Sequence, residues 1–217
     1  MMEFLNLIKE TILNPEWYIL NGGFYLILAV VFSETGLMLG FFLPGDSLLI
    51  VVGIYSDLLA KQFFNSHYLV MTSFIALAAI IGNFVGYWFG KKYGFFLYNK
   101  KDTFYFKQKY LISAKQFYEE RGALTIILAR FLPIVRTFVP IIAGIVKMDF
   151  KKFALYNIVG GILWIFSLVI MGRFFHNFLL THYNFDLRDH LEILVIVLAT
   201  ITIIPVFYKF TQNKLKN

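Results

Sequence analysis

The amino-acid sequence predicts an all-α integral membrane protein, a polytopic helical bundle with two re-entrant hairpins in an inverted-repeat arrangement. Three observations predict it. Of 217 residues, 59% are hydrophobic and only 15% charged, whereas a soluble domain averages ~45–50% apolar and ~25% charged. With a mean hydropathy of +0.70, there is too little polar surface to cover a water-facing protein of 25.3 kDa. The apolar residues also gather in runs that match the ~20 residues a helix needs to cross ~30 Å of hydrocarbon. Finally, two of the runs are broken by proline and flanked by segments of matching charge, so each should enter and leave on one face. An ordinary cytosolic globule is excluded. The absence of cysteine removes disulfides, thiolate nucleophiles and thiolate metal sites.

The elements follow in order within a single membrane domain, residues 1–217. In residues 1–21, Phe4, Leu5, Ile8, Ile12 and Leu13 recur at helical spacing opposite Asn6, Lys9 and Glu10, which predicts an N-terminal interfacial helix. Glu3 and Glu10 stand where a secretory leader would be basic, so no cleaved signal peptide is expected. The apolar stretch 22–55 would form a helix of about 50 Å if straight, well beyond the bilayer core. Pro44-Gly45 breaks it, leaving either two spans or a hairpin. Its flanks, 1–22 at net −2 and 56–68 at net zero, lack a basic excess; they favour a re-entrant hairpin dipping in from the outer side.

Residues 69–90 read as a transmembrane helix. Residues 91–121 then hold eight basic groups against three acidic ones and should form a cytoplasmic loop. Anionic lipid next to these lysines explains the excess without a nucleic-acid partner. The run 123–146 begins after this loop and ends at the basic segment Lys147 to Lys152, so it should return to its own face as a second hairpin. Pro133 and Pro140 each remove a helix hydrogen bond. Residues 153–172 and 191–208 read as two further transmembrane helices. Phe42-Leu43-Pro44 with Gly53-Ile54 echoes Phe131-Leu132-Pro133 with Gly144-Ile145; with opposite entry faces, the echo fits broken helices meeting near the midplane. The expected hairpin breaks are thus Pro44, Gly45, Pro133 and Pro140.

Four ionisable residues fall inside apolar sequence: Glu34, Asp46, Arg130 and Arg136. An arginine at a lipid-facing midplane costs ~2.5–3.5 kcal/mol, so the four should face one another or water. Asp46 has two readings, because Pro44-Gly45-Asp46-Ser47 is also how a helix begins and is capped. Glu34 has no capping role unless it lies at the hairpin's mouth. Two guanidiniums offer forked donors that match phosphate oxygens, and a carboxylate in low dielectric can take up a proton. Arg130 and Arg136 are therefore the candidate anion-binding residues, and Glu34 and Asp46 the candidate proton-coupling residues. A structural pairing of the four charges is compatible with that use. An unbroken helix would set the arginines about 120° apart; Pro133 between them frees both to reach one site.

Other groups carry weaker signals. His176, His182 and His190 are expected in an outer loop with Asp186 and Asp189, at spacings that match no standard ligand pattern, so no metal is expected. The run Gly82 to Gly90 lacks the preceding strand of a nucleotide-binding fingerprint and reads as close helix packing. Tyr87, Trp88, Trp164 and Trp17 read as packing groups or interface anchors.

With these residues in view, the chain resembles the DedA membrane proteins, also described as SNARE-associated or VTT-domain proteins. The likeness spans about Ser33 to Gly172. It comprises Glu34 and Gly36 ahead of Pro44-Gly45-Asp46; Gly82-Asn83 with Gly86-Tyr87, Gly90 and Gly94; and Phe117 with Gly122. The longest piece is Arg130-Phe131, Pro133, Arg136, Pro140, Ala143-Gly144, Met148, Phe153, Asn157, Gly160 and Trp164, closing at Gly172. Two positions that often hold other acids in the family differ here: Asp46 keeps its charge where glutamate is usual, and Asn83 replaces a common aspartate, removing a titratable group. The resemblance implies a multi-pass protein of the bacterial inner membrane with two re-entrant hairpins, linked to lipid transport. Similar members are assigned to recycling undecaprenyl phosphate, and eukaryotic relatives look like phospholipid scramblases. By motif position, Glu34 and Asp46 would be the proton-linked acids and Arg130 and Arg136 the headgroup-binding arginines.

The reading that results is a transporter of a lipid with a phosphate headgroup, without cofactor, driven by a proton gradient, and compatible with a homo-oligomer. A general phospholipid scramblase is the alternative within that class. Two rivals come from other classes. A membrane lipid phosphatase would need a nucleophile with a base or metal, and only the outer-loop histidines support it, so the chain is not expected to be an enzyme. A non-transporting membrane-protein scaffold would leave the four buried charges as structural ion pairs.

Overall fold

The computed structural model describes residues 18–36, 45–98, 126–127, 130, 133–191, 193–194 and 197. A single π turn, Tyr18–Gly22, leads into six α-helices: α1 Gly23–Gly36, α2 Gly45–Ile54, α3 Ser56–Gln62, α4 Tyr68–Tyr98, α5 Pro133–Ile145 and α6 Phe150–Tyr183. A 3-10 turn, Leu187–His190, follows. There is no strand among the described residues. The expected interfacial helix, the break at Pro44, most of the basic loop and the third span at 191–208 lie outside the described residues or nearly so.

Among the described residues two helices, α4 and α6, are long and apolar enough to cross a membrane. They run about 46 Å and 51 Å at 1.5 Å per residue. By contrast α1, α2 and α5, with 14, 10 and 13 residues, reach only about 15–21 Å, short of a ~30 Å core. The long helices extend past their expected ends. Instead of ending near residue 90, α4 carries Lys91 and Lys92 into what read as the start of the basic loop. Beyond residue 172, α6 continues through Phe174, Phe175 and Phe178 until Asn184, in the left-handed conformation at φ 50°, donates its N–H to the Leu179 carbonyl and stops the helix. His176 and His182 therefore sit on a helix and not in a loop. At the other end Asp149 caps α6 by accepting from the Lys152 N–H at 2.9 Å.

Side-chain contacts set the register. Tyr87 stacks on Phe153 at 4.5 Å, Asn83 bonds Asn157, and Arg173 lies over Tyr68, so α4 and α6 run antiparallel. Phe24 and Phe74 both meet Phe63, while Gly36 touches Gly82; α1 thus runs along the first half of α4. Pro140 beside Gly86 and Ile145 beside Gly94 place α5 along the second half. Two short helices consequently meet at the middle of a long one. Asn83 marks that middle, fifteen residues from either end of α4. Along α6 lies α2, where a Cβ at Gly53 would overlap the Val169 carbonyl and one at Gly172 the Ile50 carbonyl. The glycine-rich run on α4 serves the same end: a Cβ at Gly90 would overlap the Ile141 carbonyl.

All of α2 except Asp46 is buried, as expected of the innermost helix. The outward faces of α4 and α6 are apolar instead of polar, with Val70, Phe74, Leu77, Ile81, Val85 and Trp88 exposed on α4 at helical spacing. Such a surface is stable against hydrocarbon and not against water.

Candidate functional site

The site forms where the ends of three short helices converge on the middle of the bundle. Glu34 lies in the last turn of α1, Asp46 in the first turn of α2 and Arg136 in the first turn of α5. The Arg136 guanidinium is held between the two carboxylates, one nitrogen on Glu34 and the other on Asp46. Glu34 is fully buried and the Arg136 side chain only 7% exposed, while that of Asp46 is 28% exposed. Taking such ions out of water costs several kcal/mol each, about, which pairing of this kind offsets. Trp164 of α6 completes the cluster. Its ring lies 4.3 Å from the guanidinium carbon, and its Nε1 donates to Asp46 at 3.1 Å.

Local sequence makes this possible. Gly45 follows a proline and opens α2; a Cβ there would overlap the Glu34 carboxylate, so only glycine lets the ends of α1 and α2 close on the ion cluster. Pro133 is the first residue of α5, where its missing N–H costs nothing, and it sets Arg136 one turn into the helix. Thr35 donates to the Val31 carbonyl at 2.9 Å, turning its hydroxyl back into α1. Of the two readings of Asp46, a pure helix cap does not account for its bonds to Arg136 and Trp164.

Arg130 occupies a turn ahead of α5, its stem laid over Gly160 and Gly161 of α6. It meets no carboxylate among the described residues, contrary to the expectation that the two arginines share the two acids. Arg130 faces α6 while Arg136 faces α1 and α2. Its guanidinium donates to Asn157 Oδ1. That oxygen also accepts from Asn83 Nδ2 at 3.0 Å, and Asn157 Nδ2 donates to the Ile80 carbonyl at 3.1 Å. Both arginines nevertheless line one cavity of about 10 Å³, together with Thr35, Asn83, Asn157 and Trp164. That space suits about one water molecule. It is too small for a phosphate group.

Asn83, Asn157 and Trp164 were not expected as site residues from chemistry; the two asparagines stood out only through the family resemblance, and Trp164 read as packing. Polar amides on spans 69–90 and 153–172 were the available signal. The histidines are not a cluster: His176 is buried with its Nδ1 3.7 Å from Asp186, His182 stacks on Phe178 and His190 on Phe185. Among the described residues no three His, Asp or Glu side chains form a metal-holding group. Trp88 is exposed at 62%, with Lys92 Nζ 5.0 Å from its ring, the arrangement of an interface anchor. Tyr87 is a buried packing group whose hydroxyl donates to the Met148 carbonyl at 2.6 Å.

Fold and site together define a helical membrane protein with an ion cluster buried at the middle of its bundle. The VTT domain matches residues 43–174, and the chain belongs to this family, that of the DedA membrane proteins. Protein DedA of Escherichia coli (strain K12) is 37% identical over 189 residues, covering 87% of this chain and 82% of its own. The uncharacterized membrane protein Rv0364 of Mycobacterium tuberculosis is 36% identical over 200 residues, covering 89% and 84%. The inner membrane protein YqjA of E. coli K12 is 31% identical over 164 residues, covering 75% and 71%. No solved structure matches the chain.

Proposed function

We propose that the protein transports a phosphate-bearing lipid, undecaprenyl phosphate foremost, across the bacterial inner membrane, with proton movement through Glu34 and Asp46. The observation that carries this reading is Arg136, buried between two carboxylates where the N-termini of α2 and α5 meet the last turn of α1. Helix N-termini and guanidiniums both favour a phosphate, and half-length helices meeting at mid-depth are a recurrent plan for transport sites. In this reading α1 with α2, and the segment that ends in α5, are re-entrant hairpins related as inverted repeats. The chain is multi-pass, and the two hairpins alternately expose the cavity. When the headgroup displaces Glu34 or Asp46 from Arg136, the freed carboxylate takes a proton instead of standing charged in a dry site. The lipid tail stays in the bilayer beside the apolar faces of α4 and α6.

The test is flux in reconstituted liposomes with labelled undecaprenyl phosphate and, separately, ordinary phospholipids, with and without a pH gradient. Undecaprenyl phosphate should move faster than through empty vesicles and faster with the gradient. Equal flux of every phospholipid, indifferent to the gradient, supports the scramblase alternative.

A further inference from the structure

The two arginines at the cavity stand in opposite electrical surroundings. Arg136 has both terminal nitrogens on carboxylates, so its cluster carries one negative charge in excess when all three groups are ionised. Arg130 is equally buried, at 6% exposure, but its described partner is a neutral amide oxygen. Its Nε, like that of Arg136, is buried with no hydrogen-bond partner among the described residues. A guanidinium has five donors, and among the described residues Asn157 is the one acceptor that Arg130 meets.

We infer that Arg130 is the primary seat of the anionic headgroup and that Asn157 is the positioning residue that keeps it receptive. The inference rests on the reading of the cavity as a phosphate-lipid site. Asn157 holds the guanidinium against Gly160 and Gly161 without cancelling its charge. Its amide cannot turn over, because Nδ2 is committed to the Ile80 carbonyl and Oδ1 also accepts from Asn83. The oxygen offered to Arg130 is thereby fixed, and it is one that phosphate, a charged acceptor, outcompetes. An anion approaching Arg136 first has to overcome two carboxylates. Arg130 binds first, and Arg136 joins when Glu34 or Asp46 is released. An aspartate at position 157 would still accept from Arg130 and Asn83 and its charge would shut the seat, at the cost of the bond to the Ile80 carbonyl.

The experiment measures binding of undecaprenyl phosphate, of uncharged undecaprenol and of inorganic phosphate to the full chain in detergent micelles, alongside the melting temperature of the free protein. Wild type should bind undecaprenyl phosphate and not undecaprenol. Asn157→Asp gives up the donor to the Ile80 carbonyl and should melt lower than wild type; in its folded fraction it should lose at least about tenfold in affinity for undecaprenyl phosphate, the effect of one charge-assisted hydrogen bond. A purely structural Asn157 would leave affinity unmoved; Asn157→Asp that is folded and binds like wild type overturns the inference and leaves the transport reading standing. Wild type that fails to bind undecaprenyl phosphate overturns the transport reading itself, and the inference with it. An Asn157-dependent response to inorganic phosphate alone assigns the anion to solution and overturns the lipid as its source. Should Asn157→Asp fail to fold, Arg130→Lys and Arg136→Lys decide: a greater loss of affinity in Arg130→Lys sustains the inference, and an equal or smaller one overturns it.

Discussion

Arg136 is bound by carboxylates from two helices whose ends meet beside it, so its side chain ties α1 and α2 to α5. Arg136→Ala leaves Glu34 buried and unpaired, and should destabilise the protein by about 3–5 kcal/mol, seen as reduced thermal stability of the purified protein. Arg136→Lys keeps the charge and should cost much less, because the loss is confined to the fork. At this scale the sequence was informative wherever a charge stood in apolar surroundings. Glu34, Asp46, Arg130 and Arg136 were legible for that reason, and all four are at the site. What the sequence did not show was their pairing. Arg136 takes both acids and Arg130 takes an amide, a division invisible without coordinates. Asn83 and Asn157 were passed over because a search for ionisable groups does not register amides, although a buried amide with no apolar excuse is nearly as costly to leave unbonded.

Helices are held at near-contact distance where glycines remove the side chains between them. The α2–α6 contact rests on Gly53 and Gly172, each facing a carbonyl of the other helix. Gly53→Ala should destabilise by about 1–3 kcal/mol through overpacking against backbone that cannot swing aside; a melting temperature equal to wild type would contradict this register. Gly45 and Pro133 do begin helices, where glycine and proline punctuate chains for simple steric reasons, but Pro140, expected as a third break, lies inside α5, which continues through it to Ile145; Pro44 lies outside the described residues. Helix lengths were less so. Hydropathy marks where a helix leaves lipid and not where it ends, so the expected span 153–172 became Phe150–Tyr183, closed by Asn184. Arg173 lies in that added stretch, bonded to Ser56 and Asp57 at 2.6 Å, and ties α6 to the start of α3.

For the molecule as a whole, helix register separates the two ends of the bundle, and the basic flanks predict which end faces the cytoplasm. Lys61 and Arg173 lie at one end of the bundle and Lys151 at the other, with α4 and α6 antiparallel between them. Since the chain has no cysteine, one introduced thiol reports its own side. Lys61→Cys should react with an impermeant maleimide on intact cells and Lys151→Cys only after permeabilisation; the reverse pattern would contradict the assignment from basic flanks.

The central claim is that a forked cation buried between two acids at mid-bundle moves a phosphate headgroup through the membrane. It is tested most directly by undecaprenyl phosphate flux into reconstituted vesicles, comparing wild type with Arg136→Lys at equal amounts of folded protein. The account predicts clear flux for wild type and a loss of at least about tenfold for Arg136→Lys, since the ammonium cannot reproduce the paired donors. Flux at the wild-type rate in Arg136→Lys, or wild-type flux no greater than in empty vesicles, would contradict it.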